Sequence, residues 1–228
     1  MSLSLPEGDG PLRRERLRTA RLYFVCGARP QTDLENLLRA ALTGGVDIVQ
    51  LREKELGRAE IERAAATFRR IADTFSALFI LNDDPELARN CDADGVHVGQ
   101  DDVGAEEARE LLGPDAIIGL STHSTEQIAA SGERPVDYIS VGPIWETPTK
   151  AGRPGVGTEL IDHAAGNAPH PFFAIGGIDA GNAEQVVAAG AERLCAVRAI
   201  RDAADPAAAA SALREAFAAG ERGVAPGG

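Results

Sequence analysis

The sequence predicts a single (β/α)8 TIM barrel, on three observations. Eight short apolar runs alternate with longer amphipathic stretches along 228 residues. The rhythm never changes, so no domain boundary shows. The length suits one barrel of this class, which takes about 250 residues, whereas an open doubly wound sheet holds fewer strands in such a chain.

The runs at 22–26, 48–51, 78–81, 95–98, 117–120, 138–141, 172–175 and 194–197 are continuously apolar or rich in β-formers, as in strands covered on both faces. Helical patterns fill the gaps. The stretch 32–43 carries Asp33 in its first turn and stops at Gly44-Gly45. In 58–74, Ile61, Ala65, Phe68 and Ile71 recur at helical spacing. Asp84 suits an N-cap and Pro85 the first helical position of a short helix over 85–90. The stretch 105–112 ends at Gly113-Pro114. Gln127 lies three residues after Ser124, a capping-box pattern opening 124–131. Further helices are expected over 158–165, over 180–189 up to Gly190, and over the Ala-rich 205–219. Residues 1–20 read as an N-terminal arm with room for a short helix, loose over the polar 1–11. Residues 21–219 read as the catalytic barrel and 220–228 as a flexible tail.

The net charge of −12 argues against nucleic acid as a partner, because phosphate backbones attract basic surfaces. A local cationic cluster can still bind a small phosphorylated ligand. No apolar run approaches the roughly 20 residues of a membrane helix, and the N-terminus lacks a signal-peptide core. Cys26, Cys91 and Cys195 are odd in number and have neither CxxC nor zinc-like spacing, which suits reduced thiols in a cytoplasmic protein. Oligomeric state is not legible, and a homodimer is left open.

In such barrels the active site lies at the C-terminal ends of the strands. Those ends carry Gln50 to Lys54, Asn82-Asp83-Asp84, Gly99 to Asp102, Ser121 to Ser124, Gly142 to Trp145 with Thr147 to Lys150, Gly176-Gly177, and Arg198. Asp83 and Asp102 leave adjacent strands. Facing carboxylates repel unless a cation intervenes, and hard oxygen ligands suit Mg²⁺. Helix capping is the plainer role for an aspartate here, and Asp84 fits it; for Asp83 and Asp102 the metal reading ranks first. Arg52, Lys54 and Lys150 sit on different loops that could share one mouth, where Arg grips phosphate through two bonds and Lys adds a compact charge. Gly176-Gly177 follows the seventh strand, where loops of these barrels often hold a phosphate. Two phosphate sites, and so two substrates, are implied. His97, inside the fourth strand, reads as a hydrogen-bonded core residue, His123 as a candidate for the site, and His163 and His170 as peripheral. Trp145, the only Trp, could cover a heterocycle or simply pack. Spacing supports no Ser-His-Asp or Cys-His arrangement. Residues 152–157 read as a mobile lid.

Taken together, QLREK at 50–54, ND at 82–83, GVHVGQDD at 95–102, GLSTHS at 119–124, VGPIWETPTK at 141–150, AIGGI at 174–178 and VR at 197–198 resemble the thiamine phosphate synthase family. The likeness runs in order from Arg21 to Ile200. It implies a transferase that couples a pyrimidine methyl diphosphate to a thiazole ethyl phosphate, or its carboxylated tautomer, with Mg²⁺ and release of diphosphate. By resemblance, Gln50, Arg52, Lys54 and Asn82 bind the pyrimidine diphosphate, with Leu51 and Glu53 belonging to the same motif. Asp83 and Asp102 hold Mg²⁺. Ser121 and Lys150 contact the diphosphate and, with Arg52, are the catalytic candidates. Thr147, Pro148, Thr149, Gly177, Val197 and Arg198 surround the thiazole phosphate. Arg198 departs from the family, which often has Ser there. The chemistry implied is dissociative: the diphosphate leaves, the aminopyrimidine stabilises the methylene cation, and the thiazole nitrogen attacks it. The nearest rival is a thiazole tautomerase on the same barrel, with His123 as the catalytic candidate. It would have no use for the full set of Arg52, Lys54, Asn82, Asp83, Asp102 and Lys150. An epimerase, an aldolase or a pure binding protein is more distant.

Overall fold

The computed structural model describes residues 9–29, 33–147 and 154–223. Eight parallel strands close in sequence order into one barrel. They are β1 (Leu22–Cys26), β2 (Ile48–Leu51), β3 (Leu78–Asn82), β4 (Gly95–Val98), β5 (Ile117–Thr122), β6 (Tyr138–Val141), β7 (Phe172–Ile175) and β8 (Leu194–Ala196). The strands lie where the apolar runs place them. β3 and β5 run further than expected at their C-terminal ends and β8 stops one residue short.

The helices are α1 (Gly10–Thr19), α2 (Leu34–Thr43), α3 (Arg58–Phe75), α4 (Pro85–Asn90), α5 (Ala105–Leu112), α6 (Thr125–Ala130), α7 (Glu159–Asn167), α8 (Ala183–Ala188), α9 (Arg198–Arg201) and α10 (Pro206–Gly223). Local chemistry sets their ends. The Asp33, Asp84 and Ser124 side chains accept from the backbone N–H three residues on, at Asn36, Leu87 and Gln127. Gln127 returns its side-chain oxygen to the His123 N–H rather than to that of Ser124. Gly45, Gly113 and Gly190 turn the chain out of α2, α5 and α8 with positive φ. Four expectations need correction. Gly10 and Pro11, expected in a loose arm, open α1. The tail is helical as far as Gly223, because α10 outruns its Ala-rich stretch. Asp33 stands outside α2 as its cap. The four-residue α9, which the sequence reading missed, begins directly after β8.

Two apolar layers hold the barrel. Side chains pointing outward, such as Phe24, Val49, Leu51, Phe79 and Leu81, pack against the helices. Those pointing inward include Tyr23, Val25, Ile48, Ile80, Tyr138, Phe173 and Cys195. Strand alternation makes this partition, since neighbours on a strand face opposite sides. The N-terminal mouth is closed by α1, whose Leu17 joins Ile48, Leu78 and Ile117 in the inner cluster.

The same mouth carries a repeated device. Asp47, Asp94 and Asp137 immediately precede β2, β4 and β6. Each accepts the backbone N–H of the preceding strand's start or its neighbour: Leu22 at 2.9 Å, Phe79 at 2.8 Å and Ile118 at 2.8 Å. Each also pairs with arginine: Asp47 with Arg214, Asp94 with Arg13 and Arg69, and Asp137 with Arg14 and Arg109. Arg13 and Arg14 tie α1 to two of the three anchors.

Candidate active site

The opposite, C-terminal mouth opens into a cavity of about 700 Å³. Gln50, Arg52, Lys54, Asn82, Asp83, Asp102, Ser121, Thr147, Gly177, Val197 and Arg198 all line it. Residues from seven of the eight strand ends therefore meet in one space, although they are spread over nearly 150 positions of sequence. Pro148, Thr149 and Lys150 lie outside the described residues.

Leu51 and Glu53 do not reach the cavity wall. Alternation on β2 turns Gln50 inward and Leu51 outward into the helix layer. The Glu53 carboxylate instead accepts from the N–H groups of Ala28, Lys54 and Glu55, which ties the loop after β1 to the loop after β2.

The acidic side of the cavity is built by an unusual turn. Asp83 takes a left-handed φ of 67° at the end of β3, a conformation that aspartate tolerates better than most residues. Its N–H donates to the His97 carbonyl at 2.8 Å. Its carboxylate receives Lys54 Nζ at 3.2 Å. Burial first, and then Asp102 beside it, raise the Asp83 carboxyl above its ordinary range, while Lys54 opposes the rise. Asp102 accepts the Gly99 N–H at 2.7 Å. No third His, Cys, Asp or Glu completes a metal cluster among the described residues. Two carboxylates at close quarters suit a hard cation that keeps water and ligand oxygens in its remaining positions.

The other side carries a pair of glycines. Gly176 and Gly177 have φ of 109° and 71°. A side chain on Gly176 would strike Pro143, and one on Gly177 would press on Trp145, so glycine is needed for both conformation and space. Val197 stands at the start of α9, with Arg198 exposed at the rim. Trp145 packs against the core and is not among the described residues that line the cavity. The expected lid at 152–157 is anchored in its described part: Val156 and Gly157 donate to the Pro143 and Ile144 carbonyls at 2.8 and 3.0 Å. Residues 152 and 153 lie outside the described residues.

Several lining residues escaped the sequence reading. Tyr23, Ser140, Phe173, Ile175 and Cys195 line the cavity from inside the barrel, and Gln100 donates to the Ser121 carbonyl at 2.5 Å. The signal was a period of two: polar Tyr, Gln, His and Ser recur at inward positions of otherwise apolar runs. His97 is buried and hydrogen-bonded as expected, yet it also lines the cavity. His123 lines it too, with Nδ1 against the Gly142 carbonyl. His170 is peripheral, bonded to the Ser131 carbonyl.

Comparison with known proteins agrees with this geometry. A family model described as thiamine monophosphate synthase matches residues 22–200. The thiamine-phosphate synthase of Thermus thermophilus is 48% identical over 199 residues, spanning 86% of this chain and 96% of that protein. That of Saccharopolyspora erythraea is 45% identical over 219 residues, spanning 92% and 98%. Among solved structures, the thiamine phosphate pyrophosphorylase of Pyrococcus furiosus superposes with a TM-score of 0.81 at 29% identity, over 92% of this chain and 98% of that one. With nearly its whole barrel matched and these strand ends gathered in one cavity, the chain belongs to the thiamine monophosphate synthase family and is a transferase enzyme.

Proposed function

We propose that the cavity joins a pyrimidine methyl diphosphate to a thiazole ethyl phosphate, giving thiamine phosphate and diphosphate. The observation that carries this reading is the division of one cavity into two unlike sides. Asp83, Asp102, Lys54 and Arg52 form one charged side, and Gly176, Gly177, Val197 and Arg198 form another that joins two glycines to one cation. Two phosphorylated substrates need two such sides. A tautomerase would need only the second.

Asp83 and Asp102 are the residues that would hold Mg²⁺. The donor set fits: two adjacent carboxylates, one of them kept above its usual range by burial and by its neighbour. When bound, the ion supplies positive charge to the diphosphate oxygens. The chain's own contribution is positioning and charge. Arg52 and Lys54 present a planar donor fork and a compact ammonium to the leaving diphosphate, joined by Lys150 on the family pattern. Gln50 and Asn82 orient the pyrimidine, and Ser121 offers a hydroxyl to the diphosphate. Thr147, Gly177, Val197 and Arg198 seat the thiazole phosphate, with Pro148 and Thr149 beside them. Holding the thiazole nitrogen near the pyrimidine methylene converts a bimolecular attack into an oriented one. No nucleophilic triad is required. Leu51 and Glu53 serve by shaping the loop that carries Arg52 and Lys54. The three free thiols support work in the cytoplasm.

The test is direct. The protein is incubated with the pyrimidine diphosphate, the thiazole phosphate and Mg²⁺, and thiamine phosphate and diphosphate are measured. Equimolar formation of both supports the reading. Folded protein that yields neither overturns it.

A further inference from the structure

A chain of hydrogen bonds crosses the interior of the barrel beneath the cavity. Gln50 Nε2 donates to Tyr23 Oη at 2.6 Å. Tyr23 Oη lies 2.9 Å from Tyr138 Oη, and Tyr138 Oη lies 3.0 Å from His97 Nδ1. His97 Nε2 lies 3.0 Å from Ser121 Oγ and 3.4 Å from Ser140 Oγ. The chain thus begins and ends on residues of the cavity wall, Gln50 and Ser121, while Tyr138 is wholly buried.

Counting protons gives the chain a direction. An amide nitrogen can only donate, so Tyr23 Oη accepts from Gln50, and the order that leaves no hydroxyl proton of the chain unpaired has Tyr23 donating to Tyr138. With Tyr23 donating to it, Tyr138 Oη has its own hydroxyl proton left to donate to His97 Nδ1, and in this order Nδ1 is the bare nitrogen of the ring. His97 therefore carries its proton on Nε2 and donates to Ser121 Oγ. Ser121 Oγ then accepts from the ring, so its own hydroxyl proton is directed away from His97. With the Gln50 amide as placed, the Nδ1–H tautomer would leave one tyrosine hydroxyl proton without an acceptor within the chain.

We propose that His97 is a positioning residue for the coupling reaction: the chain from Gln50 locks its Nε2–H tautomer, which fixes Ser121 as a hydrogen-bond donor toward the diphosphate. Three independent features hold the chain in place. His97, Gly119 and Tyr138 are register partners across β4, β5 and β6. Gly119 has no side chain, and a Cβ there would collide with both the Tyr138 ring and His97 Nδ1. The two tyrosine rings are wedged edge-on against Phe173, at centroid distances of 5.3 and 5.5 Å. Burial also holds both phenols above the usual tyrosine range, so each keeps the proton that the chain requires.

The inference rests on the proposed function only where Ser121 meets the diphosphate, and two measurements separate the two. The first is independent of activity: ¹⁵N NMR of the full-length protein reads the His97 tautomer. Protonated Nε2 with bare Nδ1 is expected, and the Nδ1–H form overturns the proposal. The second is a double-mutant cycle in the coupling assay. Removing a donor that acts on developing charge costs about 10²–10³-fold in kcat, so His97→Leu and Ser121→Ala are each expected to lose about 10²-fold. His97→Gln, which can still donate, should recover to within about 10-fold of wild type. In the Ser121→Ala background, His97→Leu should cost less than about 3-fold, because a residue acting through another adds little once that one is gone. A purely structural role would cost the same in both backgrounds, and that result overturns the proposal. If His97→Leu fails to fold, the near-isosteric Tyr138→Phe takes its place in the same cycle with the same two outcomes. If wild-type protein makes no product, the functional reading fails and the tautomer alone decides the chain.

Discussion

Replacing Asp94 by Asn removes one charge from the mouth opposite the active site and leaves its shape. Asp94 is 5% exposed. One carboxylate oxygen accepts Arg13 Nε at 3.0 Å, and the other accepts Arg69 Nη1 at 2.9 Å and the Phe79 N–H at 2.8 Å. All three partners donate, so the amide group of Asn must face a donor whichever way it turns. Two charge-assisted bonds at about 1.5–3 kcal/mol each set an upper scale of about 3–6 kcal/mol. Breaking a buried ion pair at one partner costs about 3–5 kcal/mol. Both routes agree, and about 3–5 kcal/mol is expected. For a chain of this size each kcal/mol moves Tm by about 2–4 °C, so Tm should fall by about 6–20 °C. Urea unfolding should show a lower midpoint at an unchanged m-value, while kcat of the folded enzyme stays at the wild-type value because the cavity is at the far end. The three anchors also rank themselves. The side-chain exposures of Asp94, Asp137 and Asp47 are 7%, 11% and 31%, so the cost of Asn should fall in that order. A cost under about 1 kcal/mol for Asp94→Asn, or a larger one for Asp47→Asn, would refute the reasoning from burial.

Other expectations are more local. Asp83→Asn and Asp102→Asn should each lower kcat/KM by about 10²-fold or more and raise the Mg²⁺ needed for half-maximal rate; variants with wild-type Mg²⁺ dependence would remove the metal assignment. The bonds from Arg70, and then Arg39, hold the exposed Glu35 carboxyl down to about 2. Its contribution to stability is therefore present above the ordinary value of 4.5 and fades as pH falls from there through about 2. The Tm gap between wild type and Glu35→Gln should be widest near pH 6 and vanish toward pH 2; a gap that persists at pH 2 contradicts it. Burial pushes the Cys26 thiol up to about 12 and the Cys91 thiol up to about 11. Thiolate is scarce at pH 8, so mass spectrometry after brief treatment with a thiol reagent should find both unlabelled until denaturant is added. Rapid labelling of either in the native protein would count against this environment.

What the sequence disclosed followed from periodicity. Strand and helix positions came from hydrophobic alternation and caps, so errors gathered at ends where local signals compete. Gly10 and Pro11 look like a loop by composition, but Arg13 and Leu17 hold α1 under the barrel through contacts with Asp94 and the inner cluster. No local rule reports a partner 81 residues away. The same limit hid the anchors, because Asp47, Asp94 and Asp137 read as ordinary turn residues until their arginines are seen. At the C-terminal mouth, the strand-end motifs bring Arg52, Lys54, Asp83, Asp102 and Arg198 to the wall of one cavity. Leu51 and Glu53 stand off the cavity wall, because a contiguous motif says nothing of which side chains face inward. Tyr23 and Tyr138 were passed over because a tyrosine in an apolar run reads as core; the register of β4, β5 and β6 brings the Tyr138 hydroxyl to His97, and Tyr23 reaches it from β1 through Tyr138.

The two mouths of the barrel use carboxylates in opposite ways, which bears on how such a chain can be stable and still bind charge. At the N-terminal mouth each aspartate meets an arginine and a backbone N–H, so its charge is neutralised on folding. At the C-terminal mouth Asp83 and Asp102 lie side by side with one lysine on Asp83. The mutual repulsion there is a cost carried by the fold, of the kind expected where a site is arranged for a ligand rather than for stability. Neutralising it should therefore do the reverse of Asp94→Asn. Asp102→Asn should leave stability unchanged or raise it while removing activity. A loss of stability comparable to that of Asp94→Asn would mean that Asp102 is an anchor too, its bond to the Gly99 N–H outweighing the repulsion from Asp83.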